Sequence, residues 1–344
     1  MGAPRPGAVG RTWASLAGIA AAAVGLALAA GAAVEGLRPD LARLPGPEFR
    51  ALAIPRVDAD QRFGPAVADY AVHLSRSFGA GRIANLAGGF AGDGLEGQLA
   101  AAAKHQGRLR VLMNLDPAGC CGGAWAERER ARLAAGRAAG AAGLHLGADL
   151  PAEAAPGAAG LEPILDACEA LGLPVSAEVS GDEGREALAR LSVRRPRLGL
   201  LASDLAGLAA DPPAAAALLT RAPGLHLGLG ARLAELARRP EAARAFLLAH
   251  ADRVLHGTGT RYLDVPPYHE LVLGDGPPAR GEGEVLRFHL GNLRLLETRD
   301  RAIPSPVPTR APGELRGLGL PRATLERIYH RNAERVLGFP PERP

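Results

Sequence analysis

The stretch Leu161-Glu-Pro-Ile-Leu-Asp-Ala-Cys-Glu-Ala-Leu-Gly-Leu-Pro-Val-Ser-Ala-Glu-Val179 decides the fold class of this chain. Leu161–Leu171 carries apolar residues at helical spacing. Gly172 then supplies a helix-ending residue, and Pro174 cannot continue the helix, so the chain passes directly into a short apolar strand over Val175–Val179. A glycine-capped helix feeding a buried strand is one link of a βα series with a parallel sheet.

The same alternation runs outward from that link, starting at about Arg50. Strands are predicted at Ala51–Val57, Arg82–Leu86, Leu109–Leu115, Gly143–Leu146, Val175–Val179, Leu198–Ala202, His226–Leu229 and Arg253–Leu255. Helices are predicted at Pro65–Phe78 and Pro240–His250, each opened by a proline, and at Leu95–His105 and Trp125–Ala139, the latter ended by Gly140. Glu284–Leu296 and Arg322–Leu337 close the series. Eight strands in βα alternation predict a (β/α)8 TIM barrel rather than an open sheet, and α/β barrels fill this length as one domain. Chemistry in such barrels lies at the C-terminal ends of the strands.

Composition supports a large core and little else. Of 344 residues, 47% are hydrophobic but only 4% aromatic, and Lys104 is the single lysine, so positive charge is almost all arginine. The net charge of +4 is not gathered into one run. Glu127-Arg-Glu-Arg-Ala-Arg132 interleaves both signs and reads as a solvated helix face. With no one-signed stripe and no interleaved aromatics, nucleic acid is excluded as a partner. The three cysteines include no C-x-x-C pair; Cys120 and Cys121 are adjacent, which strains a disulfide, so all three read as small buried or half-buried thiols.

The first residues have a different character. Arg5 and Arg11 precede an apolar stretch from Trp13 to Val34, with no charge before Glu35. A basic start followed by an apolar core is an export signal, and the length approaches the roughly 20 residues that span hydrocarbon. Ala27-Leu-Ala29 and Ala30-Gly-Ala32 offer small-residue cleavage sites. A cleaved signal and an uncleaved membrane anchor both remain open, with a buried Ala-rich helix as the third reading. In the first two the positive residues stay inside and the body of the protein faces outside the cytoplasm. The expected organisation is a signal peptide or membrane anchor over 1–36, a linker over 37–48 and the barrel over 49–340.

The strand ends present Asp58-Ala-Asp60-Gln-Arg62, Asn114-Leu-Asp116, His145, Glu178, Ser203-Asp204 and Gly257-Thr-Gly259. Strict alternation would turn Asp58, Asp60 and Arg62 toward the same inner face. Asp58, Asp60, Glu178 and Asp204 are therefore the candidate catalytic residues, and Arg62, His145 and Asn114 the candidate binding residues of the mouth. One reading is a hard-metal or acid–base site. The other is an ion-pair cluster in which Arg62 neutralises the carboxylates, and like-charge repulsion between that guanidinium and a divalent cation favours it. None of the nine histidines forms an H-x-H or H-x-x-x-H pair. His73, His105, His250 and His330 fall in helices as surface or packing residues, leaving His145 alone at the mouth.

Several segments, in order, resemble the amidohydrolase-related family (type 2) of metal-dependent hydrolases and decarboxylases. Val111-Leu-Met-Asn-Leu-Asp116 is similar to its third strand and Gly140-Ala-Ala-Gly-Leu-His145 to its fourth. Gly172-Leu-Pro-Val-Ser-Ala-Glu178 resembles the strand that carries a histidine in the family. Ala231-Arg-Leu-Ala-Glu-Leu-Ala237, Ala243-Arg-Ala-Phe246 and Asp252-Arg-Val-Leu-His-Gly-Thr258 resemble the segment that ends in its "GTD" turn. Leu293-Arg-Leu-Leu-Glu-Thr298, Gly317-Leu-Gly-Leu-Pro321 and Leu325-Glu-Arg-Ile-Tyr-His-Arg-Asn-Ala333 resemble its closing region, so the likeness spans about Ala53 to Gly338.

The resemblance implies the same barrel and, in typical members, a divalent metal. The family's H-x-H pair falls on Asp60 and Arg62, its later histidines on Glu178 and Ser203, its metal-binding aspartate on Gly259 and a fourth-strand lysine on His145. Every metal position departs from the pattern. The expectation is accordingly a catalytically degenerate amidohydrolase-related protein, a pseudoenzyme without cofactor, that binds a small molecule at the barrel mouth or acts structurally, with membrane contact through its N-terminal segment. The alternative is a divergent hydrolase of C–N or C–O bonds using Asp58, Asp60 and Glu178, with a hard divalent metal (Zn, Mn or Mg) if any.

Overall fold

Strand β1 (Arg56–Arg62) is built from charged residues, yet all but the last of its seven are buried. The computed structural model to which it belongs describes residues 49–265, 268–274, 276–279 and 281–341; the candidate export segment and linker, 1–48, lie outside the described residues. Sequence reading placed this strand five residues early, over Ala51–Val57, because apolar character is the usual mark of a parallel strand. Here the strand instead carries the polar residues of the site, and its backbone is paired on both sides.

The βα series continues with α1 (Ala68–Ser77), β2 (Ala80–Asn85), α2 (Leu95–Lys104), β3 (Leu109–Met113), α3 (Gly123–Ala138) and β4 (Gly143–Leu146). Next come α4 (Glu162–Leu171), β5 (Val175–Ala177), α5 (Gly181–Arg194), β6 (Leu200–Ala202), α6 (Pro212–Arg221) and β7 (Leu225–Gly228). A short α7 (Leu233–Leu236) and α8 (Pro240–Ala249) precede β8 (Val254–Leu255). At Gly172 the left-handed turn with φ 63° ends α4 as the sequence implied, and the chain enters β5 directly. Strands β1 to β8 pair in parallel in sequence order. The circle closes where Ala59 N–H donates to the carbonyl of His256, just past β8, at 3.0 Å. The sheet is a (β/α)8 barrel.

Two strands beyond the eight were not anticipated. β9 (Thr260–Val265) and β10 (Tyr268–Val272) form an antiparallel hairpin, and β9 also pairs with the end of β1 at Gln61 and Arg62. Charged residues interrupt their apolar run in the sequence. α9 (Glu282–Glu297), the two-residue strands β11 (Ile303–Pro304) and β12 (Glu314–Leu315), α10 (Arg322–Glu326) and, after one wider turn, α11 (Asn332–Leu337) complete the chain.

Inside the barrel, Val57, Ala59, Leu86, Leu112, Leu201 and Leu255 pack with Ala333, Leu337 and Phe339 of the C-terminal segment. That segment covers the N-terminal ends of the strands, where Arg82 donates to the carbonyl of Pro340 at 2.5 Å. The bottom of the barrel is therefore plugged by apolar packing, which leaves the opposite end for polar groups. Among the described residues no helix is long and apolar enough to cross a membrane.

Two expectations away from the mouth are corrected. On α3, Trp125, Glu129, Leu133 and Gly136 share one buried face at spacings of three and four residues, so the charged run is not wholly solvated. Glu129 is instead paired with Arg132 at 2.6 Å and accepts the backbone N–H of Asp116 at 3.2 Å. Cys120 and Cys121, read as thiols because adjacency strains a disulfide, are joined as a vicinal disulfide.

Candidate functional site

The geometry of the site begins with one extra residue in β1. From Asp58 to Gln61 is three steps along β1, but their partners Ile83 and Asn85 are two steps apart on β2. This bulge breaks the alternation. Val57 and Ala59 face the barrel interior, Asp58 and Gln61 face the helices, and Asp60 and Arg62 turn to the mouth. The expectation that Asp58, Asp60 and Arg62 share a face is thus corrected at Asp58. Its carboxylate accepts from Thr258 N at 2.9 Å, Thr258 Oγ1 at 2.6 Å, Gln61 Nε2 at 2.7 Å and Asp60 N at 3.2 Å. Burial still pushes its pKa above the usual carboxylate range against those four donors. Asp58 holds the segment after β8 against β1, which is a structural task.

At the mouth, Arg62 lies between two acids. Its Nη1 donates to Asp60 Oδ1 at 2.9 Å, and its Nη2 to Glu178 Oε1. The Asp60 side chain is 4% exposed, and its other oxygen, Oδ2, has no hydrogen-bond partner. Burial drives the Asp60 pKa up to about 7, Arg62 opposes this, and the nearby carboxylates of Asp204 and Glu178 add to it. Glu178 is held down to about 2, first by His145 and then by Arg62, against the effect of partial burial. One acid of the pair is therefore a firm anion, while the other exchanges its proton near neutrality.

Below Glu178 runs a buried polar chain that the sequence reading did not assemble. His145 Nε2 is 3.6 Å from Glu178 Oε1, its Nδ1 is 3.2 Å from Ser176 Oγ, and Ser176 Oγ is 3.4 Å from Ser203 Oγ. Burial lowers the His145 pKa, so the ring is neutral. A neutral ring protonated on Nε2 faces its N–H to the carboxylate and accepts from Ser176 at Nδ1. Ser176 is 1% exposed, so its hydroxyl serves the buried chain and not the mouth. The sequence did carry a signal for it: Ser176 stands two residues before Glu178, on the same face of one strand.

Asp204 reaches the mouth through an unusual turn. After β6, Asp204, Leu205 and Ala206 all adopt left-handed backbone with φ of 52–55°, a conformation costing non-glycine residues roughly 1–2 kcal/mol each. The turn sets Asp204 Oδ1 to accept the N–H of Ala231 at 3.2 Å and Oδ2 3.4 Å from Arg232 Nη2. A side chain at Gly230 would collide with Asp204 Oδ1 and lie 3.1 Å from Asp60 Oδ2, so the two carboxylates converge there. Asn114, expected as a binding residue, spends its amide on backbone: Oδ1 accepts from Gly89, and Nδ2 donates to the carbonyls of Leu86 and His145. It ties the strand ends together.

The residues at the expected metal positions do not fit a divalent cation. The donor set is a carboxylate, a guanidinium, a second carboxylate, a hydroxyl engaged by Ser176, and a glycine. The guanidinium already bridges the two carboxylates, and a cation there would meet like charge at close range. Gly259 offers no donor, and with φ 63° and a Cβ that would sit 2.8 Å from Ala231 N the position resists any side chain. Among the described residues no group of three or more His, Cys, Asp or Glu is placed to hold a metal ion.

The family model for amidohydrolases matches residues 47–339. An uncharacterised TIM-barrel protein from Bordetella bronchiseptica is 17% identical, with 83% of this chain and 99% of that one covered and a TM-score of 0.51. A 5-carboxyvanillate decarboxylase from Sphingomonas paucimobilis is 11% identical, with 84% and 100% covered and a TM-score of 0.50. A 5-carboxyvanillate decarboxylase from Novosphingobium aromaticivorans, solved with manganese and a nitrobenzoic acid derivative, is 11% identical, with 83% and 96% covered and a TM-score of 0.49. At such identities the likeness is one of fold. No curated protein matches the chain in sequence.

Proposed function

The chain belongs to the amidohydrolase family, and on that premise we propose that it is a catalytically silent member, a metal-free barrel that acts by binding or as a structural element. The observation that carries this reading is Arg62, whose guanidinium stands between Asp60 and Glu178 where the family holds a cation. A bound metal would supply the charge that brings a water's pKa near 7; a guanidinium, which has no open coordination position, cannot. Support for a place outside the cytoplasm comes from Arg5 and Arg11 ahead of the apolar residues 13–34. The partly exposed side chains of Arg62 and Glu178 are the mouth groups that a small ligand would meet.

Purified protein incubated with zinc, manganese or magnesium and then desalted is expected to retain far less than one ion per chain. Stoichiometric metal would end the proposal. For location, a reporter enzyme that works only outside the cytoplasm, fused after Pro344, is expected to be active, and an inactive fusion would overturn that part.

One observation favours a second reading, a metal-free hydrolase. Asp60 has a free oxygen and a pKa of about 7, the properties of a general acid or base. This reading expects turnover of an ester, amide or lactone that Asp60→Asn and Glu178→Gln abolish. Turnover unchanged by both substitutions would remove it.

A further inference from the structure

On the far side of β1 from the mouth, an enclosed space lies between the sheet and helices α1 and α9. Arg56, Ser75, His256, Thr258, His289 and Asn292 are among its lining residues. Most of its wall is apolar, but polar side chains interrupt it. Arg56 Nε, His256 Nδ1 and His289 Nε2 are all buried without a hydrogen-bond partner, on residues only 5%, 5% and 6% exposed. Buried polar atoms in native proteins are almost always paired with protein or ordered water.

We propose that this space is a hydration site, occupied by one ordered water that bridges Arg56 Nε, His256 Nδ1 and His289 Nε2. The space reachable by the centre of a water molecule is about 20 Å³, and one water needs about 10–15 Å³ and two to four polar partners. Water also matches the partners chemically. It accepts from the Arg56 N–H, which is always protonated, and donates to imidazole nitrogens that burial keeps neutral, each with its pKa lowered to about 3.

Neither kind of ion suits the place. A cation would face Arg56, and an anion would face the Asp58 carboxylate, which is itself closed off by four donors. Arg56 is already neutralised by Glu297 at 2.9 Å. The rings are also fixed in place: His289 stacks on Phe78 with centroids 4.2 Å apart, and His256 meets Tyr329 edge-on at 5.3 Å. Rigid rings hold their nitrogens at constant positions, so the water has a defined seat.

An atomic-resolution crystal structure of the chain should show a single peak within hydrogen-bonding distance of at least two of the three atoms. An empty space, or a peak with the short distances of a coordinated ion, would overturn the proposal. Two variants give a second readout. His289→Gln keeps a polar partner for the water, whereas His289→Phe expels it and strands His256 and Arg56, so the Phe variant should melt lower by at least about 2 °C. If the Phe variant instead melts at or above the Gln variant, the space is dry and the proposal is wrong.

Discussion

Arg62→Ala is expected to lower unfolding stability by about 3 kcal/mol, the low end for breaking a buried ion pair because Arg62 keeps some contact with solvent. The loss falls on Asp60, whose 4% exposed carboxylate would have no counter-charge left. Asp60 can escape part of this by taking a proton, since its pKa already stands at about 7 with Arg62 present and would rise further without it. The loss should therefore be larger at about pH 8 than at about pH 5.5, and denaturant titrations at both would measure it. Manganese or magnesium should leave the melting temperature of the parent chain unchanged. Equal losses at both pH values, or a metal-induced shift in the parent, would contradict the role assigned to Arg62.

Stability is also expected to fall as pH drops from about 7 to 5, and the cause lies outside the mouth. His256 and His289 are buried, with pKa values lowered to about 3, and His226 is lowered to about 4, in each case first by burial. A base whose folded pKa lies below its unfolded value of about 6.5 contributes stability that is fully present above 6.5 and lost as pH falls toward the folded value. By pH 5 the two most buried rings should each cost on the order of 2 kcal/mol, because the unfolded chain takes up protons that the folded chain refuses. Asp60 works in the opposite direction. Its pKa is raised to about 7, so the folded state gains relative stability as pH falls from 7 toward 4. Asp58, also raised by burial, acts with Asp60, while His145 and His250 act with the other three rings, and the larger set of histidines places the maximum near neutral pH. A stability profile that is flat or rising between pH 7 and 5 would contradict this balance.

Much of the molecule was legible in its sequence because the signals are local. Gly172 and Pro174 end a helix and start a strand through their own backbone limits, and β4 matches its expected span residue for residue. The neighbouring strands differ only at their ends. The strand-end positions also announced the polar mouth, and Asp60, Arg62 and Glu178 do meet there. Charge favoured an ion-pair cluster over a metal site there, but the contact of Arg62 with both acids came only with the structure.

What the sequence could not decide was the parity of β1. Alternation carries no mark for an inserted residue, and the bulge between Asp58 and Gln61 exists because of partners far along the chain. Thr258, 200 residues away, donates twice to Asp58 and draws that carboxylate to the helix side, leaving Asp60 to the mouth. Asn114 and Ser176 are similar cases: their roles come from backbone and ring atoms on neighbouring strands, which no spacing within one strand encodes. Local chemistry thus fixed which elements form and which charges gather at the barrel's open end. Which carboxylate faces that end, and which is spent on structure, depended on hydrogen bonds between segments that meet only when the barrel closes.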